Sequence, residues 1–246
     1  MITVSPLSRR LRRFARGLAE STSGVAMIEF AMAVPVLALL GMGGAELANI
    51  TLDEMKVSEI AMSTADNASR LGQTDNSAVA PTISESDVDS VMQGANDAGA
   101  SIGLANHGRV ILSSLEKDPA TGKQYIHWQR CIGAGGQKSR YGNDQMNNGL
   151  HLGQIFGMGR AGNQVSAPST TQAVMYVEVY YDYQPLFGTM FTNLIGMPAT
   201  IGKEAAFLVR DGRDLTPGLT GTVATSSLSG SGNAYAYGKQ VRGVEC

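Results

Sequence analysis

The chain has little charge and few of the residues that build catalytic and metal sites. Its 246 residues include three histidines, two cysteines and one tryptophan, and 16% of them are charged, against about 25% in an average soluble domain. The formal net charge is -2, and no basic face is evident that would gather phosphates. The charge argues against a nucleic-acid-binding protein. The uneven distribution of apolar residues along the chain argues against a soluble cytosolic enzyme.

A search for catalytic patterns gives negative results. His127 and Cys131 lie four residues apart in a predicted strand, which separates them by about 13 Å, too far for a nucleophile and its base. The run Gly135 to Ser139 lacks the glycine that a phosphate-binding loop needs directly before its lysine. The three histidines are scattered, and the run Asp211 to Asp214 is too short for a calcium loop. We therefore expect no enzyme activity, no cofactor and no metal site.

Charge is distributed unevenly along the chain. Residues 1–24 carry five arginines and one glutamate, a net of +4, whereas residues 25–246 carry fourteen basic and twenty acidic side chains, a net of -6. A basic stretch directly before an apolar segment stays on the cytoplasmic side of a membrane. The sequence therefore predicts a basic leader over residues 1–24 and an exported remainder.

The longest apolar segment, residues 25–48, follows this leader and has no charge between Glu29 and Glu46. The sixteen residues from 30 to 45 would rise about 24 Å as a helix, and the flanking turns bring this close to a hydrocarbon thickness of about 30 Å. The helical periodicity then continues past the apolar segment. We predict one long helix over residues 25–71, of which about residues 26–48 cross the bilayer.

Two simpler interpretations compete for this segment. A cleaved signal peptide also has a basic and an apolar region, but here no A-x-A site follows, and the helical pattern continues beyond Ala48. An uncleaved membrane anchor also fits, and it needs no special residue at Gly24 or Glu29.

The junction between leader and apolar segment has a pattern of its own. Gly24 ends the basic segment, Val25 follows it, and Glu29 is the fifth residue after the glycine. Glycine before a scissile bond admits the close backbone approach that a peptidase at the cytoplasmic face needs. A carboxylate inside an apolar helix is costly unless it has a partner, and the new α-amino group of Val25, in the same or a neighbouring subunit, would provide one. This is the pattern of a type IV prepilin.

A longer pattern surrounds the junction. It consists of glycine, four residues, Glu-Phe, a proline among apolar residues, and a glycine-containing segment that ends in Glu-Leu. The residues at these positions are Gly24, Glu29, Phe30, Pro35, Gly44, Glu46 and Leu47. Over about residues 20–72 the chain resembles the TadE-like proteins, minor pseudopilins of the tight-adherence (Flp, type IVb) pilus system. Pro35 removes the hydrogen bond to the Ala31 carbonyl, which predicts a helix kink.

The rest of the chain predicts a small α+β domain over residues 72–211. After a polar loop, the spacing of Val88, Met92 and Ala95 predicts an amphipathic helix that ends at about Leu104. Four short β-branched and aromatic stretches then predict strands, with Val177, Val179 and Tyr181 on one face of the third strand and Tyr176, Glu178, Tyr180 and Asp182 on the other. These stretches are residues 108–118, 123–131, 172–184 and 201–212. The glycine- and asparagine-rich residues 133–169 predict a surface loop.

The two cysteines, Cys131 and Cys246, both fall on the predicted exported side. In an oxidising compartment they most simply pair with each other, which would pin the Gly/Ser-rich tail, residues 212–246, to the sheet. An intermolecular disulfide and a free thiol are the alternatives.

The fold class expected is α+β and pilin-like, with a long N-terminal transmembrane helix packed on a small antiparallel sheet. The resemblance implies a structural pilus-assembly protein that prepilin peptidase processes after Gly24. Its expected location is the bacterial inner membrane, with a cytoplasmic N-terminus and a periplasmic domain. Its expected partners are prepilin peptidase, other pilin subunits, the inner-membrane assembly machinery and the lipid bilayer, but no nucleic acid. The alternative is an unprocessed, single-span, membrane-anchored extracytoplasmic binding protein.

Overall fold

A single helix of 48 residues, α1, covers Thr22–Ser69 and thus nearly all of the stretch predicted as one long helix. The structure is a computed structural model that describes residues 22–71, 83, 85–118, 122–142 and 157–209. The leader up to residue 21 and the predicted tail, residues 212–246, lie outside the described residues. α1 continues without interruption through Pro35 and through the three glycines before Glu46.

Four strands and several short helices follow α1. The helices are α2 (Glu85–Ala98), a 3-10 turn (Ala100–Ile102), α3 (Leu104–His107) and α4 (Thr189–Ile195). The strands are β1 (Gly108–Lys117), β2 (Gln124–Ile132), β3 (Val174–Asp182) and β4 (Thr200–Leu208). Each strand lies inside the stretch predicted for it or extends at most one residue beyond it, and β3 and β4 end two and four residues before their predicted ends. A long apolar N-terminal helix with a small antiparallel sheet confirms the α+β class.

The strands form one antiparallel sheet in the order β2-β1-β3-β4. In its central pair, Leu112 of β1 lies opposite Val177 of β3. At the edges, Ile111 pairs with Cys131 of β2, and Glu178 of β3 pairs with Glu204 of β4. The register of β1 against β2 shifts after Ser114.

Both faces of the sheet are covered. On one face α1 packs its Val57 and Ile60 into a core that also holds Val177 and Val179. For the other face, the sequence predicted only which side chains of the third strand it carries. There, the segments 133–142 and 157–173 bury the side chains that point away from α1, because Tyr141 stacks on Tyr176 in a T-shaped pair and Met158 packs with Tyr176. The described parts of the glycine-rich stretch therefore form a second layer.

The prediction that the amphipathic helix continues to about Leu104 is wrong for its C-terminal end. α2 ends at Ala98, and its buried stripe is Val88, Met92 and Ala95. A methyl group on Gly99 would lie 2.5 Å from Leu104 Cβ. Leu104 therefore packs directly against the backbone of Gly99, where a side chain would clash. Gly103 then takes a left-handed conformation with φ 67°, which favours glycine and starts a new short helix.

Candidate functional site

The first half of α1 has no packing partner among the described residues. Every residue from 24 to 41 is exposed, including Phe30 at 68% and Leu37 at 65%. This helix is long and apolar enough to span a membrane. The rest of the chain begins to contact α1 at residues 42–46, where exposure falls and Glu46 becomes fully buried.

The residues predicted at the cleavage junction all lie on this exposed part. Gly24 and Val25 are in the first turn of α1, and among the described residues no atom beyond the local helix backbone lies within 4 Å of a methyl group placed on Gly24. Glu29 is exposed one turn later, and within the described part of the chain its carboxylate has no ion-pair partner. The described residues therefore leave the junction uncovered, and its role remains a prediction.

A buried carboxylate marks the point where α1 enters the domain. Glu46 Oε1 accepts hydrogen bonds from Tyr183 Oη at 2.7 Å and from the Leu186 backbone N–H at 3.2 Å. Glu46 Oε2 accepts one from the Phe187 backbone N–H at 3.2 Å. Three donors from a single connection therefore surround one carboxylate of α1. We call Glu46, Asn49, Tyr183, Leu186 and Phe187 the exit cluster.

The hydroxyl of Tyr183 links the two α1 residues of the exit cluster, Glu46 and Asn49. Asn49 Nδ2 donates to Tyr183 Oη at 2.9 Å, and the hydroxyl in turn donates to Glu46. Burial, with a smaller contribution from the Glu46 carboxylate, raises the pKa of Tyr183 to about 12. The hydroxyl therefore keeps its proton at physiological pH and remains a donor to the carboxylate.

The exit cluster was not predicted from sequence. Glu46 was singled out only as part of the resemblance, and its partners lie 137 to 141 residues further along the chain. The one local signal is a carboxylate at the end of an apolar run, which needs a partner when buried. That signal identifies Glu46 and gives no indication of its donors.

The other residues singled out by sequence do not come together into a site. Pro35 is inside α1 and exposed, and the kink there stays a prediction. Cys131 is buried at 1% exposure and is disulfide-bonded. Cys246, the only other cysteine of the chain, lies outside the described residues, so that the pairing of these two residues stays a prediction.

The structure places His127 beside a carboxylate rather than beside a nucleophile. His127 Nδ1 lies 2.8 Å from Glu116 Oε2, and the same carboxylate accepts hydrogen bonds from Ser114 Oγ at 2.7 Å and Tyr125 Oη at 3.2 Å. All four residues are buried. The Ser114 hydroxyl thus donates to the carboxylate and not to the imidazole. This cluster stabilises the β1–β2 pair.

A second group of carboxylates lies on the sheet face away from α1. Glu178 accepts hydrogen bonds from Tyr180 Oη at 2.7 Å and from the Arg140 backbone N–H at 3.1 Å, while Glu204 accepts one from Tyr176 Oη at 2.6 Å. Burial raises the pKa of Glu178, and the hydrogen bonds that it accepts only partly offset this. The covering segments are residues 133–142 and 157–173. The first of them is held on the sheet by the Arg140 contact and by Tyr141 Oη, which donates to Glu204 at 2.9 Å. Among the described residues no group of His, Cys, Asp and Glu could hold a metal ion.

Comparisons with protein-family models, with curated proteins and with solved structures find no match for this chain.

Proposed function

We propose that this chain is a minor pseudopilin of a tight-adherence (type IVb) pilus, similar to the TadE-like proteins. In this proposal prepilin peptidase cleaves after Gly24, α1 holds the subunit in the inner membrane, and the sheet domain lies in the periplasm. The subunit acts as a structural component of pilus assembly and performs no catalysis.

The observation that carries the proposal is the division of α1 into two halves. Residues 24–41 are exposed and apolar on all sides, while the continuation of the same helix packs on the sheet. A subunit that moves between a bilayer and a fibre needs such a helix, because its exposed half must be solvated by lipid in one state and by neighbouring helices in the other. A cleaved signal peptide would remove the apolar half and has no use for its continuity with the domain.

Glu29 supports the same function. It is an acidic side chain on the exposed apolar half, where lipid would surround it. Val25 is four residues earlier and lies on the same side of the helix. Cleavage after Gly24 would place a positive α-amino group there, and this group can neutralise Glu29 within one subunit or between neighbours.

The N-terminus of the protein from its native membrane tests the cleavage. Intact mass should correspond to a chain that begins at Val25, Gly24→Ala should slow processing, and Gly24→Leu should stop it. A chain that still begins at Met1 would instead favour the unprocessed, membrane-anchored binding protein. A chain that begins near Gly44 would identify a signal peptide.

Piliation tests the role of Glu29. Glu29→Gln keeps the side-chain shape and removes its charge, so the protein should reach the membrane at normal levels while piliation falls. Met32→Gln is the matched control, because it places an amide on the same exposed half and keeps the carboxylate. Normal pili with Glu29→Gln as the sole copy would contradict the assembly role.

A further inference from the structure

The connection between β3 and β4 exposes apolar side chains beside the end of the apolar helix. No charged residue or histidine occurs between Asp182 and Lys203. Within this connection Met190 is 87% exposed, Leu194 75% and Leu186 60%. Met190 and Leu194 are four residues apart in α4 and therefore share one face of it. An exposed apolar surface of this kind marks a contact with a membrane or another protein.

The position of α4 along α1 places this surface at the membrane boundary. Phe191 of α4 lies beside Gly43, since a methyl group on Gly43 would be 4.0 Å from Phe191 Cζ. Gly43 is nineteen residues after Gly24, which corresponds to about 28 Å along a helix and matches a hydrocarbon thickness of about 30 Å. A span that begins at the junction therefore leaves the hydrocarbon at the level of α4.

The exit cluster fixes the connection at this level. The backbone N–H groups of Leu186 and Phe187 donate to Glu46, and the Phe187 ring makes a T-shaped contact with Phe191 at 5.9 Å between centroids. Inside α4, backbone groups pair locally, as Thr192 N–H does with the Gly188 carbonyl. Locally paired backbone is a requirement for a segment that enters an apolar phase.

Lipid fits this surface better than a protein partner does. The surface is continuous with the lipid-facing half of α1 at Gly43, and it carries no charge that would orient a protein partner. The burial of Glu46 under the same connection also removes a carboxylate from the lipid at this depth.

We propose that the β3–β4 connection is a second membrane contact, in which Leu186, Phe187, Met190 and Leu194 enter the boundary between headgroups and acyl chains on the side where α1 emerges. Interfacial helices of this kind bury their apolar face by about 5–10 Å. The inference rests on the proposed function only in that α1 must cross the bilayer. It requires neither cleavage nor a pilus.

Fluorescence quenching by brominated lipids tests the contact. The full chain is reconstituted in phosphatidylcholine vesicles as three single variants. Met190→Trp lies at the proposed contact, Leu37→Trp lies in the span, and Val165→Trp lies on the covering segment 157–173. Each new tryptophan replaces an exposed side chain, so the fold should be kept, and the buried Trp128 gives a common background. With bromine near the headgroups, Met190→Trp should lose roughly half of its added emission, and Val165→Trp should lose none.

Each outcome decides the proposal. Quenching of Met190→Trp by shallow bromine, unchanged at high salt, supports it. Quenching of Leu37→Trp without quenching of Met190→Trp overturns it and leaves the membrane span intact. A blue-shifted Met190→Trp emission that no bromine quenches also overturns it, in favour of a second protein chain on this surface. Failure of all variants to remain in vesicles after alkaline washing overturns both the contact and the membrane span.

Discussion

The two halves of α1 differ in how their apolar residues are arranged. In residues 24–41 apolar side chains lie on every side of the helix and all are exposed. In the second half the buried apolar residues form a stripe, namely Ile50, Val57, Ile60, Ala61, Ala65 and Ala68. A stripe is the pattern of a helix that packs on one surface, whereas apolar residues all round belong to a helix that is surrounded. One uninterrupted helix is therefore built for two environments, and only the second is supplied by the described chain.

Shortening side chains in the two halves should give very different effects. Ile60→Ala creates a cavity against the sheet and should lower the free energy of unfolding by about 2–5 kcal/mol. Leu37→Ala removes a similar side chain that touches nothing in the domain, so stability should not change measurably. Urea unfolding in detergent, followed by near-ultraviolet circular dichroism, measures both. An equal loss in the two variants would mean that the halves are not separate.

The boundary between the halves should depend on Glu46. Glu46→Ala leaves the Tyr183 hydroxyl and two backbone N–H groups without their acceptor, and we expect a loss of about 2 kcal/mol. Glu54→Ala is the matched control two turns later, because Glu54 makes only a half-exposed ion pair with Lys203 and should cost about 0.5 kcal/mol or less. The same unfolding experiment compares them. A loss for Glu46→Ala no greater than for Glu54→Ala would show that the exit cluster does not fix the connection.

A change of pH should act on the packed region through Glu178. Because burial raises its pKa, the folded state holds this proton to higher pH than the unfolded chain does. Stability should therefore fall as pH rises from the ordinary glutamate pKa through the raised value. Glu178→Gln should remove this loss, and its stability relative to the parent should be greater at pH 8 than at pH 4. Glu59→Gln, on an exposed part of α1, is the control for the loss of one carboxylate.

Of these changes, loss of the bond that would hold the tail should affect the stability of the sheet least. If Cys131 pairs with Cys246, then Cys246→Ser should release residues 212–246 to proteases while the unfolding midpoint of the sheet changes little. The tail has few sizeable apolar residues to hold it in place. Limited proteolysis with mass spectrometry measures the release. Alkylation of two thiols in the unreduced parent protein, or a dimer that reduction separates, would contradict the pairing.

Local sequence patterns were sufficient to locate the strands. Each is rich in β-branched and aromatic residues and is bounded by turn residues, and in β3 the alternation assigned Val177 and Val179 to the same face. The same alternation could not show that Tyr176 and Glu178 are also buried. Their cover is a glycine-rich segment that has no strand or helix period of its own and is held by individual contacts such as Tyr141 with Tyr176.

The candidate site was only partly predictable, for a related reason. The exposed half of α1 follows from composition, since an apolar run with polar flanks needs no tertiary information. The donors to Glu46 could not be predicted, because Leu186 and Phe187 contribute backbone N–H groups, which every residue except proline carries. The prediction of a helix up to Leu104 was wrong because glycine is also compatible with a helix interior at a modest cost in free energy. Gly99, which follows the last residue of α2, therefore gave no clear signal that the helix ends there.

Because α1 is unbroken past the exit cluster, its two halves cannot turn independently of each other. No loop lies between the exposed half and the half that packs on the sheet, since both belong to one helix. A rotation of the exposed half about the helix axis would therefore turn the sheet domain through the same angle. The rotational setting of the exposed half thus determines which side of the domain faces its surroundings.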